Sequence, residues 1–215
     1  MPRALIAGVT DVASLLGTGL GLGIALAGAP GPVQAVLMTE SIRGGMARGF
    51  RAMAGAAVTF ATLLVALALG LSVVTPTGIV LRVLKIAGGA LLLWLAVDGM
   101  RSAGRVDEAD IARRSLSPMA RGSLAVLLNP GAWLFLGAVA SPVFASAAED
   151  GGAGGALLVV AALVFGLALG DGSVVLLGGL GVRRAGERVA TWVRRGLAAL
   201  LGVFGVSLIV GGVIT

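Results

Sequence analysis

Long apolar stretches separated by short polar turns make up almost the whole chain. The stretches lie at about residues 12–38, 47–74, 79–100, 122–146, 153–180 and 194–214. As helices, they are each long enough to cross the roughly 30 Å hydrocarbon core of a bilayer. The pattern predicts an all-α membrane protein with six transmembrane helices in a single polytopic domain, 1–215. The polar residues 101–121 are then a cytoplasmic linker.

Prolines interrupt two of the predicted spans. Pro30 and Pro32 flank Gly31 in the first span, and Pro130 follows Asn129 in the fourth. A proline removes a backbone donor and clashes with the preceding turn, so neither helix is expected to be continuous. Unpaired backbone groups are costly in lipid and are tolerated only where they are buried in protein or line a cavity. We therefore expect both breaks to shape a substrate-binding or gating site, with simple kinks as the alternative.

Composition excludes several classes of function. Hydrophobic residues make up 58% of the chain and charged residues 12%, with a mean hydropathy of +1.05. Soluble domains carry about 25% charged residues. The absence of Cys and His removes disulfides, thiolate chemistry, and the commonest metal ligand and proton shuttle. We expect no enzyme, cofactor or metal, because hydrolysis inside the membrane would need a Ser-His or paired-Asp arrangement.

The basic residues indicate how the chain is oriented. All but three of the 16 Lys and Arg residues lie in or beside the first, third and fifth loops, the exceptions being Arg3, Arg82 and Lys85. The net charge of +6 therefore reflects cytoplasmic loops rather than nucleic-acid binding. Both termini are expected outside the cytoplasm, and the two halves form inverted three-helix repeats with broken first and fourth helices. The N-terminal part of the chain imitates a signal peptide, but Asp11 interrupts the approach to the first span, and we expect this segment to be retained.

A few polar side chains lie where an amino acid could bind. Asp171 is the carboxylate placed well inside a span, where a charge costs about 3 kcal/mol and usually serves function. We expect it to carry a coupling proton or to bind a substrate ammonium, with a structural hydrogen bond to Ser173 or to a neighbouring helix as the alternative. Gln34 and Asn129 flank the breaks, whose helix N-termini attract a carboxylate. Their alternative role is to satisfy backbone groups freed by the prolines.

Three motifs, in their order along the chain, resemble those of a known protein family. They are APGP at 29–32 followed by SIRGG at 41–45, LKIAGGALLLWL at 84–95, and LNPGA at 128–132. In these and in its length the chain resembles the LysE/RhtB superfamily of amino-acid exporters. The resemblance implies an exporter of amino acids or related small metabolites, driven by the proton motive force, in the bacterial inner membrane.

Alternative functions remain open at this point. A metal-ion or other small-solute exporter of the same superfamily is the nearest, although one deep carboxylate without His makes a poor metal cage. A membrane scaffold that transports nothing is another. The expected partners are a small-molecule substrate and the lipid bilayer, and the sequence leaves open whether the chain forms a homo-oligomer.

Overall fold

Helices account for nearly all of the chain that the structure describes. The computed structural model describes residues 2–29, 31–70, 78–102, 116–182 and 184–214. The helices are α1 (Pro2–Gly28), α2 (Pro32–Ala68), α3 (Gly78–Ser102), α4 (Pro118–Leu127), α5 (Pro130–Phe135), α6 (Ser141–Leu176) and α7 (Glu187–Ile214). The π-helical segments Leu136–Ala140 and Leu177–Val182 flank α6. The described residues contain no strand, which confirms the predicted all-α class.

Two helical segments reverse direction at glycines. Gly45 has φ 76° and Gly152 has φ 61°, in the left-handed region that favours glycine. A Cβ on Gly49 would lie 3.0 Å from the Ser41 Cβ, and one on Gly155 would overlap the Ala147 carbonyl, although residues eight apart in a straight helix are separated by about 12 Å. The helical stretch Pro130–Val182 has 53 residues and would be about 80 Å long if straight, more than twice the bilayer core. Each segment therefore supplies two passes.

Length and composition fit a membrane protein. The helices long and apolar enough to span a bilayer are Pro32–Ala68, Gly78–Asp98, Pro130–Val182 and Arg188–Ile214, with Val12–Gly28 shorter. Counting the two reversals, the described chain makes six passes, of which the first is interrupted after Gly28, where α1 ends, and the fourth at residues 128–129. Much of the predicted linker 101–121 lies outside the described residues, as do 71–77.

Glycines bring the passes into close contact. A Cβ on Gly23 in the first pass would overlap the Leu163 carbonyl in the fifth, and one on Gly122 in the fourth would overlap the Ala52 carbonyl in the second. The third pass contacts the sixth through Gly89. Small residues of this kind allow close approach of membrane helices. A two-fold relation between the halves exchanges the first pass with the fourth, the second with the fifth and the third with the sixth. It therefore turns the contact of first and fifth passes into that of fourth and second, and it keeps the contact of third and sixth.

Basic side chains on α3 cap the end of α7. Arg82 donates from Nε to the Gly212 carbonyl at 2.9 Å and from Nη2 to the Val213 carbonyl at 3.1 Å. Lys85 Nζ lies 3.4 Å from the Gly211 carbonyl. The last carbonyls of a helix have no intrahelical donors, and cations are favourable there. These bonds fasten the third and sixth passes together.

Candidate functional site

A cavity of about 300 Å³ lies between the two breaks. Its walls come from the end of α1, both halves of α2, α4, α5 and α6. Apolar side chains dominate the lining, among them Leu26, Val33, Phe60, Val126 and Leu167. The polar side chains at its wall are Gln34, Asn129 and Asp171. An apolar cavity with a few convergent polar groups is typical of small-molecule sites.

The first break presents the start of α2 to the cavity. Gly31 is extended, with φ −163° and ψ −177°, and Pro32 is the first helical residue. The Ala35 amide donates to the Gly31 carbonyl at 3.1 Å, which leaves the earlier Val33 and Gln34 amides without intrahelical acceptors. Among the described residues no side chain caps this helix end. These amides belong to residues that line the cavity, at the positive end of the helix dipole.

The second break is stabilised by its own side chains. Asn129 Oδ1 accepts from the Gly131 amide at 3.0 Å and so caps α5, in which Pro130 is the first residue. Trp133 Nε1 donates to the Leu127 carbonyl at 2.7 Å, which satisfies an acceptor at the end of α4. Asn129 thus satisfies a backbone amide at the break, which is the alternative role stated above. The residue also lines the cavity.

Asp171 is the charged residue in the cavity wall. Its side chain is 2% exposed. The Gln34 side chain lies beside the carboxylate, whereas Asp171 Oδ1 has no protein partner among the described residues. Ser173 Oγ donates instead to the Gly170 carbonyl at 2.6 Å, so the Ser173 bond considered for Asp171 is not formed. A buried carboxylate oxygen without a donor is costly unless a ligand or a proton satisfies it.

The structure brings together most of the residues that the sequence nominated. Five of them line the same cavity, although they come from three distant parts of the chain: Gly31, Pro32, Gln34, Asn129 and Asp171. Pro130 is buried behind the lining, as the first residue of α5. Pro30 lies outside the described residues. Within the described ranges no group of three carboxylates, histidines or cysteines is placed to hold a metal ion.

A buried ionic cluster is the feature that sequence reasoning missed. It joins the carboxylates of Glu40 and Asp98 to the guanidinium groups of Arg43, Arg48 and Arg121. The segment 39–45 was predicted to be a polar turn, and the chain does turn at Gly44 and Gly45, but residues 39–43 are still helical and Glu40 is 1% exposed. A spacing of three between Glu40 and Arg43 was the available local signal. Arg48 follows Glu40 by eight residues, whereas Asp98 and Arg121 are remote in sequence.

Arg121 is the centre of this cluster. It bonds to Glu40 Oε1 at 3.2 Å and to Asp98 Oδ2 at 2.8 Å, and its Cζ lies 5.2 Å from the centroid of the Trp94 ring. Its Nε donates to the Leu116 carbonyl at 3.2 Å. The cluster therefore ties α2, α3 and α4 together at the end of α4 opposite the cavity.

Comparison with known proteins decides the family. A family model described as LysE type translocator matches residues 24–212, which include both breaks, the cavity and the ionic cluster. The chain belongs to the LysE type translocator family. It matches no curated protein and no solved structure at a significant level. As a LysE type translocator it is a multi-pass membrane transport protein from a family of transporters rather than enzymes, and the resemblance read from the three motifs is confirmed.

Proposed function

We propose that this translocator exports amino acids or closely related small metabolites across the bacterial inner membrane and that the proton motive force drives it. The observation that carries the proposal is the cavity whose wall combines the first turn of α2 with Asp171, a residue whose buried Oδ1 has no protein partner among the described residues. Its volume of about 300 Å³ is at the small end of ligand pockets, in the range suited to a metabolite.

The two ends of an amino acid match the two polar parts of the cavity. Asp171, whose buried Oδ1 has no protein partner among the described residues, supplies the carboxylate for an ammonium group. The Val33 and Gln34 amides at the start of α2 supply donors and a positive dipole end for a carboxylate. Gln34 belongs to both parts, since its amide lies in the first turn of α2 and the residue lines the cavity together with Asp171.

Asp171 also supplies a means of coupling substrate export to the proton gradient. A carboxylate buried at 2% exposure can be satisfied by a proton or by an ammonium, and each removes the cost of an uncompensated charge. If a proton and the substrate compete for the Asp171 carboxylate, a proton that enters from outside favours release of the substrate on the outside. Uphill export then follows from the proton gradient.

A metal ion fits the same cavity less well. Hard cations take six or more oxygen ligands, while the described lining contributes one carboxylate and two side-chain amides. We further propose that both termini face outside, since nearly all of the basic residues flank the first, third and fifth loops.

An export assay tests the proposed function. Cells that produce the protein and cells with an empty vector are loaded with dipeptides, and the amino acids released by hydrolysis are followed in the medium. We expect at least one amino acid to leave the producing cells several-fold faster, and collapse of the proton gradient to abolish the difference. Equal efflux of every amino acid tested contradicts the proposal.

A further inference from the structure

The charge of the cavity wall restricts the side chain of the substrate. Among the described lining residues Asp171 is the one ionisable group, and it is already assigned to the ammonium. A second ammonium, as in lysine, finds no further carboxylate there. A second carboxylate, as in glutamate, finds no cation. An unpaired charge in an apolar, low-dielectric space is strongly unfavourable.

The nearby cations do not change this conclusion. Arg121, Arg43 and Arg48 belong to the ionic cluster, where Glu40 and Asp98 pair with them. None of these residues lines the cavity. A substrate side chain in the cavity therefore meets hydrocarbon and the amides of Gln34 and Asn129.

Phe60 is the largest apolar side chain in the cavity wall. It is 3% exposed, and its ring lies 6.0 Å from that of Phe135 at an interplanar angle of 42°. Phe135 therefore packs beside the Phe60 ring. Ala56, one turn earlier on the same helix face, also lines the cavity and leaves room in front of the ring.

We propose that the cavity selects amino acids with uncharged, apolar side chains and that Phe60 is the specificity-determining residue against which the side chain packs. This inference rests on the proposed function. Shape selection in an apolar pocket changes relative rates by about 10- to 200-fold for each methylene gained or lost. Removing the ring of Phe60 is therefore expected to alter which side chain is preferred.

The test compares export of leucine, valine, phenylalanine, lysine and glutamate from dipeptide-loaded cells. We expect wild-type protein to export the three apolar amino acids at least about 10-fold faster than lysine or glutamate. In Phe60→Ala the ratio of phenylalanine to valine export should rise by about 10-fold. Phe144→Ala is the matched control, since Phe144 is 2% exposed in the same core but does not line the cavity. Its ratio should change less than about 2-fold.

Each outcome bears on a separate part of the inference. Export of lysine or glutamate as fast as leucine overturns the charge selection, and this measurement needs no variant. If Phe60→Ala is not recovered from membranes, Phe60→Leu gives the same comparison with a smaller change. An unaltered ratio in the recovered variant overturns the role of Phe60. If no amino acid leaves faster than from vector cells, the proposed function itself fails, and the inference fails with it.

Discussion

Glu40 and Arg121 are 81 positions apart in the chain and form a hydrogen-bonded ion pair of 3.2 Å in the protein interior, where each side chain is 1% exposed. Further charged groups also contact both members of this pair. Arg48 approaches the other oxygen of Glu40 at 2.5 Å, and Asp98 takes a second nitrogen of Arg121. The second, third and fourth passes are therefore fastened at one point.

Breaking this pair should destabilise the protein strongly. Arg121→Gln leaves Glu40 with less compensation in a buried place, and removal of one partner of a buried ion pair costs about 3–5 kcal/mol. We expect a clearly lower midpoint for thermal unfolding of the purified protein in detergent. Arg51→Gln is the control, because Arg51 is exposed, and it should change stability by less than about 0.5 kcal/mol.

Removing both charges tests whether the pair acts as a unit. Residues in one ionic network are coupled, so Glu40→Gln with Arg121→Gln should destabilise by less than the two single substitutions combined. The interaction free energy from this double-mutant cycle should be about 1 kcal/mol or more. Strict additivity would show that the two side chains contribute independently.

Close packing at Gly122 gives a second stability prediction. A Cβ there would overlap the Ala52 carbonyl, which cannot move without displacing the second pass. Gly122→Ala should therefore cost about 1–3 kcal/mol, measured as a lower thermal midpoint and a smaller folded yield. Gly21→Ala is the matched control, since nothing lies within 4 Å of its added Cβ. Equal stability of the two variants would contradict the close contact of the second and fourth passes.

The break at Pro32 is expected to matter for transport more than for folding. Pro32→Ala restores an amide at the first residue of α2 and relaxes the constraint that begins the helix there. Export should fall at least several-fold while the amount of protein in the membrane stays near normal. Pro118→Ala is the comparison, because Pro118 also begins a helix but does not line the cavity. If both variants export normally, the first break only shapes the bundle.

Orientation can be measured with single cysteines, because the natural chain has none. Asp150→Cys lies in an exposed acidic turn that we place outside, and Ala185→Cys in an exposed basic turn that we place in the cytoplasm. A membrane-impermeant maleimide added to intact cells should label the first and spare the second until the cells are opened. The opposite pattern would reverse the proposed topology.

The sequence predicted those parts of the fold and site that depend on local physics. Proline cannot continue a helix, so Pro32 and Pro130 marked both breaks without knowledge of their neighbours. Asp171 stood out because a lone carboxylate in an apolar run is costly. That these residues share one cavity depends on the packing of remote passes, which the sequence indicated only through the predicted symmetry of the halves.

The ionic cluster could not be predicted in the same way. Glu40 and Arg43 lie among glycines and polar residues, a composition typical of a turn, and Arg121 lies at the edge of a charged linker. Their burial results from contacts between passes that are far apart in the chain. Charges near span ends are usually solvated, so nothing local distinguished these residues from Arg51, which is exposed.

The most direct test of the account is gradient-driven export by Asp171→Asn, compared with wild type and with Asp150→Asn as the control for an exposed carboxylate. The asparagine keeps the size of the side chain but can neither bind a proton as a carboxylate does nor pair with an ammonium. We predict normal membrane levels for all three proteins, uphill export by wild type and Asp150→Asn, and export by Asp171→Asn reduced to the level of vector cells at every external pH. Uphill export by Asp171→Asn with the pH dependence of wild type would contradict the account.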